Sequence, residues 1–358
     1  MRPRALDIHL GERAAARLAA TGWRGSDITT LLGASGGPKW LILGRLDRIL
    51  FGDFLLEKRT TPLRAIGSSI GSWRHACLAQ SAPADTLRRF EDVYVHFEYS
   101  VSPDADEVST ASATILEHIF GETGARAVFD NPLVHSYIVT ARGRGLNSSR
   151  SRAALGMGMG TAAVSNALPR PLLASQFQRV LFASRGAPAL PFTDFATQQV
   201  PLTPSSVPLA LHASGAIPFL LRGERDLPGA PAGHYWDGGI IDYHFDPAGL
   251  DDDGLILYPH FRGDLTPGWF DKFLPWRRHR RPAIDNLILL CPSDAFLASL
   301  PHGKIPDRSD FRRMAPAQRV AYWKTCLRRS EELAEDFLRQ LTSADPLAGT
   351  KRLRAASA

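Results

Sequence analysis

Two glycine-rich turns, Gly33 to Lys39 (GASGGPK) and Gly67 to Gly71 (GSSIG), constrain this chain more than any other feature. Each follows a short apolar run and precedes a segment with helical spacing. Asp27 to Leu32 (DITTLL) is β-branched and apolar and predicts a buried strand. Pro38 suits a first helical position, and Leu41 to Phe51 then carries Leu, Ile and Phe at helical spacing. Pro62 to Ile66 predicts a second strand and Ser72 to Gln80 a second helix. Strand, glycine turn and helix, twice over, is a βαβα unit, which requires parallel strands and right-handed crossovers. The predicted fold class is therefore α/β, with a mainly parallel central sheet flanked by helices.

Beyond residue 80 the signals thin out. Pro83 to Glu98 spaces Leu87, Phe90, Val93 and Phe97 as one helix face. Val134 to Ala141 (VHSYIVTA) and Leu255 to Tyr258 predict strands. Gly143 to Pro171 is rich in small residues with little to bury, and reads as a mobile loop and candidate lid. Val207 to Leu221 predicts a helix ending before Pro218, Tyr235 to Tyr243 a strand, turn and strand, and Ala317 to Leu341 one long amphipathic helix. The expected organisation is one α/β domain with insertions. It comprises an N-terminal helical segment over 1–26, a catalytic domain over 27–258 and a basic-aromatic loop with helices over 259–342. A disordered tail is expected over 343–358.

Composition removes several classes. With 44% apolar and 22% charged residues in 358, the chain is neither a disordered polyelectrolyte nor a disulfide scaffold, since it has only 3 Cys, far apart. No Cys/His metal spacing occurs, and Asp251 to Asp253 lacks a calcium-loop pattern, so neither metal nor cofactor is expected. Neither a secretory signal nor a membrane-spanning run is visible, and the expected location is cytoplasmic. The net charge of +6 is concentrated: Lys272 to Arg281 (KFLPWRRHRR) holds five positive residues and no acid. Its aromatics and arginines suit an anionic membrane surface, though the same composition also suits nucleic-acid phosphate or a solvated loop; peripheral membrane contact is the expectation, and no nucleic-acid partner is expected.

Both glycine turns match GxSxG, the pattern that exposes a serine at a sharp strand-to-helix turn. Local context does not separate Ser35 from Ser69. Acyl transfer, however, needs both a nucleophile and N–H donors for the oxyanion. Neighbouring parallel strands would bring both turns to one sheet edge. Gly36 and Gly37 then offer donors that no side chain obstructs, which leaves Ser69 as the nucleophile. As a phosphate loop the first turn fails, with Pro38 and Trp40 where Gly and Ser or Thr belong.

A third element is Asp237-Gly238-Gly239, preceded by the Ala/Ser-rich segment His212 to Phe219 (HASGAIPF). The ordered set of Gly-Gly-x-Lys, GxSxG and Asp-Gly-Gly resembles the patatin-like phospholipases, over about Asp27 to Asp246. The resemblance implies a three-layer patatin-like fold. It implies a lipid acyl hydrolase in which Ser69, between Gly67 and Gly71, is the nucleophile and Asp237, before Gly238 and Gly239, is the base. Gly36, Gly37 and Lys39 match the oxyanion loop, and the N–H of Ile70 completes it. Two positions depart from the family pattern: Ser35 replaces the first loop glycine and Trp40 the last.

The expected activity is phospholipase or esterase hydrolysis of a lipid ester through an acyl-serine. Two alternatives stay open. A Ser-His-Asp esterase of the α/β-hydrolase type would recruit His244 or His260, which follow Asp237 in the order that fold uses. A non-catalytic module would use the same glycine loops to hold an anion or phosphate.

Overall fold

The computed structural model describes residues 3–192, 194–246, 250, 253–277 and 284–353. Its strands are β1 (Leu6–Leu10), β2 (Ile28–Gly33), β3 (Leu63–Ser68), β4 (Val134–Gly143), β5 (Phe177–Ala183), β6 (Thr197–Pro201), β7 (Glu224–Arg225), β8 (His234–Asp237), β9 (Leu255–Pro259), β10 (Leu287–Pro292) and β11 (Lys351–Arg352). The helices are α1 (Glu12–Thr21), α2 (Gly44–Ile49), α3 (Ile70–Leu78), α4 (Pro83–His96), α5 (Ala105–Phe120), α6 (Gly124–Asp130), α7 (Arg152–Ala167), α8 (Val207–Gly215), α9 (Asp294–Ser299), α10 (Asp310–Arg313), α11 (Pro316–Arg329) and α12 (Glu331–Leu341).

One sheet takes the order β11-β1-β10-β9-β2-β3-β4-β5-β6, and β8 joins β4 and β7 off this path. The run β10-β9-β2-β3-β4 is parallel throughout. Within it β9 (LILYP) and β10 (LILLCP) are continuous apolar sequences buried at every position, because helices cover the sheet. The α/β class and the parallel βαβα start are as the glycine turns predict.

Register at β4 places the two predicted catalytic residues. β3 pairs with β4 up to Ser68 opposite Val139. β8 runs antiparallel to β4 and ends with Asp237 opposite Thr140, the next position along. β3 and β8 thus approach head-on beside the same strand, and their last residues deliver Ser69 and Asp237 to one point. Gly238 makes this possible, since a Cβ there would lie 2.3 Å from the Val139 carbonyl oxygen. Gly71 plays the matching part between the two glycine turns, because a Cβ would stand 2.0 Å from the Gly33 carbonyl oxygen.

Several expectations need correction. Residues 143–171 are not a loop: β4 runs on to Gly143, and α7 follows, with the Ser151 hydroxyl accepting from Ala154 N–H. Alanine-rich sequence is intrinsically helical, and Leu155, Met159 and Ala162 give α7 a buried side. After β8 no return strand forms up to Tyr243; Gly238–Ile240 is a 3-10 turn instead. The predicted helix over 317–341 is two, meeting at Ser330, whose hydroxyl bonds back to the Leu327 carbonyl at 2.7 Å.

Segments 1–26 and 259–342 are not purely helical outliers. They supply β1 and β10, which pair with one another, so both ends of the chain build the same sheet. The tail expected over 343–358 is ordered as far as it is described. Trp23 Nε1 and Gln340 Nε2 both donate to the Pro346 carbonyl, Leu347 and Leu353 pack on the core, and β11 pairs with β1. Residues 354–358 lie outside the described residues.

Candidate active site

Ser69 sits between β3 and α3 at φ 54° and ψ −130°, a conformation that costs a non-glycine residue energy and is held by its surroundings. Its N–H donates to Ser214 Oγ at 2.9 Å, and the Ser214 hydroxyl donates to the Val139 carbonyl at 2.6 Å. Ser72 Oγ donates to the Ser69 carbonyl at 2.6 Å. Helices α8 and α3 therefore fix the turn from both sides. Ser214 belongs to the Ala/Ser-rich segment noticed in the sequence, but only the fold shows what its hydroxyl does.

Ser69 Oγ donates to Asp237 Oδ2 at 2.8 Å, and Gly239 N–H donates to the other carboxylate oxygen at 2.7 Å. Asp237 N–H is held by the Ala216 carbonyl at 2.8 Å. Both side chains are buried. Burial pushes the Asp237 carboxyl above its ordinary value, against the opposing pull of the Ser69 and Gly239 hydrogen bonds and of the Arg308 and Lys272 charges.

The rival serine, Ser35, is placed differently. Its hydroxyl donates to Ser68 Oγ at 3.0 Å, its N–H donates to the Tyr243 carbonyl, and among the described residues it makes no hydrogen bond to a carboxylate. The loop it belongs to faces Ser69. Among the described residues the N–H groups of Gly36, Gly37 and Ile70 find no acceptor, whereas the Ser69 N–H is already committed to Ser214. Trp40 turns away from this loop and stacks on Phe90 at 4.4 Å, so it serves the helical layer. Lys39 lines the cavity beside this loop, and its Nζ donates to the Tyr243 hydroxyl at 3.3 Å.

Neither histidine of the triad alternative touches Ser69 or Asp237. His244 Nδ1 accepts from Thr266 N–H at 2.8 Å, and His260 Nδ1 lies 2.7 Å from the Arg262 carbonyl and 3.1 Å from its N–H. The two rings pack together at 4.2 Å. Burial drives both off the ordinary imidazole range, His260 to about 3, so each is held neutral.

Two cavities meet at Ser69. One, of about 550 Å³, is lined by Asp237, Gly36, Lys39, Tyr243 and Lys272, with Met159 of α7 on its wall. The other, of about 830 Å³, is lined by aromatic and aliphatic side chains including Tyr94, Phe97, Tyr99, Val108 and Phe311. Gly37, Ser69, Trp269 and Arg308 border both.

Lys272, read in the sequence as part of a membrane-facing basic stretch, instead lines the first cavity, its Nζ 3.3 Å from the centre of the Tyr243 ring. Arg277 is tied to Asp271 at 3.2 Å and to the Leu168 carbonyl of the segment after α7. Phe273 and Trp276 are exposed, and residues 278–281 of that stretch lie outside the described residues. Arg308 had no sequence signal at all. Among the described residues there is no group of three or more His, Cys, Asp or Glu side chains able to hold a metal ion. Asp251 and Asp252 are outside the described residues. No described helix is long and apolar enough to cross a membrane. Compared with known proteins, the chain matches no family model, no curated protein and no solved structure.

Proposed function

We propose that the chain is a carboxylic ester hydrolase of the patatin-like type, cleaving lipid acyl esters through a Ser69–Asp237 dyad on a nucleophile elbow. The observation that carries this reading is the 2.8 Å hydrogen bond from Ser69 Oγ to a buried carboxylate at the meeting of β3 and β8. Ser69 Oγ attacks the ester carbonyl as Asp237 takes its proton. The oxyanion forms against the N–H groups of Gly36, Gly37 and Ile70. Collapse expels the alcohol, which leaves with the proton from Asp237. Water, deprotonated by Asp237, then attacks the acyl-serine and releases the fatty acid and Ser69. The aromatic cavity of about 830 Å³ supplies apolar surface for the acyl chain.

Aspartate works here without an imidazole because desolvation makes it a stronger base than it is in water. The sign of the pH dependence follows. Asp237 must be ionised to act, so kcat/KM falls as pH drops through its raised pKa. The acid limb is expected above the unperturbed aspartate value of ~3.9. A limb at or below that value would contradict burial as the source of basicity.

The direct test is a fluorophosphonate probe with mass-spectrometric site mapping. The adduct is expected on Ser69 and absent in Ser69→Ala. An adduct on Ser35 would overturn the choice of nucleophile.

Contact with an anionic bilayer is part of the same proposal. Large exposed apolar side chains gather near the site on α7 and the segment after it (Met157, Val164, Leu168) and on the turn carrying Phe273 and Trp276, beside Arg277. Co-sedimentation with vesicles is expected to rise with anionic lipid content and to fall in a Phe273→Ser/Trp276→Ser double variant. Equal binding to neutral and anionic vesicles would remove the electrostatic component.

A further inference from the structure

Three cations from elements far apart in sequence converge on the Ser69 cavity: Lys39 after β2, Lys272 in the 3-10 turn Phe270–Phe273, and Arg308 just before α10. Lys39 and Lys272 meet at one ring. Lys39 Nζ lies 3.3 Å from the Tyr243 hydroxyl, and Lys272 Nζ lies 3.3 Å from the ring centre. Arg308 completes the group beside the glycine loop, where a Cβ at Gly37 would stand 3.3 Å from its guanidinium.

Among the described residues none of the three forms an ion pair. The carboxylates nearby are already used. Asp237 is bonded to Ser69 and Gly239, and Asp307 to Lys304 at 3.2 Å and to Ser309. Lys39 and Lys272 are half-buried, and burial depresses both ammonium groups; the charges of Arg262 and Arg308 add to it at Lys39, and those of Lys39, Arg308 and Arg262 at Lys272, which falls to about 6. Basic groups crowded without a counter-charge are unfavourable in the empty site, where Lys272 is largely uncharged at neutral pH, and an entering anion favours its protonated form.

We infer that Lys39, Lys272 and Arg308 form an anion subsite that takes the phosphate of a phosphate-bearing acyl ester, on the leaving-group side of Ser69. The inference rests on the Ser69–Asp237 reading only for which bond is cut. A carboxylate is satisfied by one arginine fork, whereas three separate donors around a cavity suit the several oxygens of a phosphate. The division of labour fixes the orientation of the substrate. Its acyl chain enters the aromatic cavity, and its alcohol, carrying the phosphate, lies over Tyr243.

The test uses the full chain with Ser69→Ala, so that nothing turns over, titrated calorimetrically with dodecyl phosphate, a neutral dodecyl glycerol ether and inorganic phosphate. Dodecyl phosphate is expected to bind at least about ten-fold more tightly than the neutral ether. Arg308→Gln, at an exposed position, and Lys272→Met, which keeps an apolar stem on Tyr243, are each expected to weaken it about ten-fold. Equal affinity for the phosphate and the ether, or no loss in either variant, would overturn the subsite. Inorganic phosphate binding as tightly as dodecyl phosphate would overturn its assignment to a lipid's phosphate. Wild-type turnover separates the two readings. Ester hydrolysis without phosphate preference sinks the subsite and keeps the dyad, and phosphate binding without hydrolysis of any ester does the reverse.

Discussion

Ser69→Ala is expected to lower kcat toward a lipid ester by about 10⁴-fold or more while leaving the circular dichroism spectrum unchanged. The folded state loses one hydroxyl. Alanine keeps the Cβ and the backbone N–H that holds the turn to Ser214. Asp237→Asn should cost a similar factor by a different route. The amide still accepts from Gly239 N–H, but it presents a group that cannot take the Ser69 proton. Because the two residues act as one unit, the double variant should be little worse than either single one. His244→Gln should retain labelling by a fluorophosphonate probe, since the ring is engaged with Thr266 N–H rather than with Ser69. A loss there as deep as that of Ser69→Ala would replace the dyad by a triad.

The second large effect is on stability. Arg74 of α3 and Asp47 of α2 form a two-pronged ion pair, with bonds of 2.7 Å from Nε and 2.6 Å from a terminal nitrogen, both side chains removed from solvent. The pair joins the helix that follows the glycine loop to the helix that follows Ser69. Asp47→Ala would leave a guanidinium buried without its partner, and a loss of about 3–5 kcal/mol is expected, read as a lower denaturant midpoint at constant m. Asp47→Leu/Arg74→Leu removes both charges and should recover much of that loss. A midpoint unmoved by Asp47→Ala would show that water or another group reaches Arg74.

The parts legible in the sequence share a physical cause: they are local. A glycine that must not carry a Cβ between two turns, such as Gly71 against Gly33, and a strand run that feeds a helix leave their marks within a few residues. Motif order alone pairs Ser69 with Asp237. The actual reason for the pairing, two strands ending head-on beside β4, is a register that no local pattern carries. β1 carries no clear local signal, because LDIHL mixes charge into a strand whose partners are distant. The small residues of α7 carry no helical signal until a core is there to accept Leu155 and Met159. Lys272 was legible as charge but not as location, since its neighbours Phe273 and Trp276 do face outward.

The place of β1 in the sheet has a consequence for how the chain is made. β1 pairs on one side with β10, Leu6 opposite Pro292, and on the other with β11, Leu10 opposite Arg352. β1 is thus flanked by two strands that are synthesised long after it. At roughly 5–20 residues per second, β1 waits on the order of 15–55 s for its first partner. β2 in the meantime has β3 on one side and an open edge on the other until β9 arrives. An unpaired apolar edge is a template for another chain. The interval in which this protein is most exposed to misassembly is therefore set by the speed of translation rather than by the stability of the finished fold.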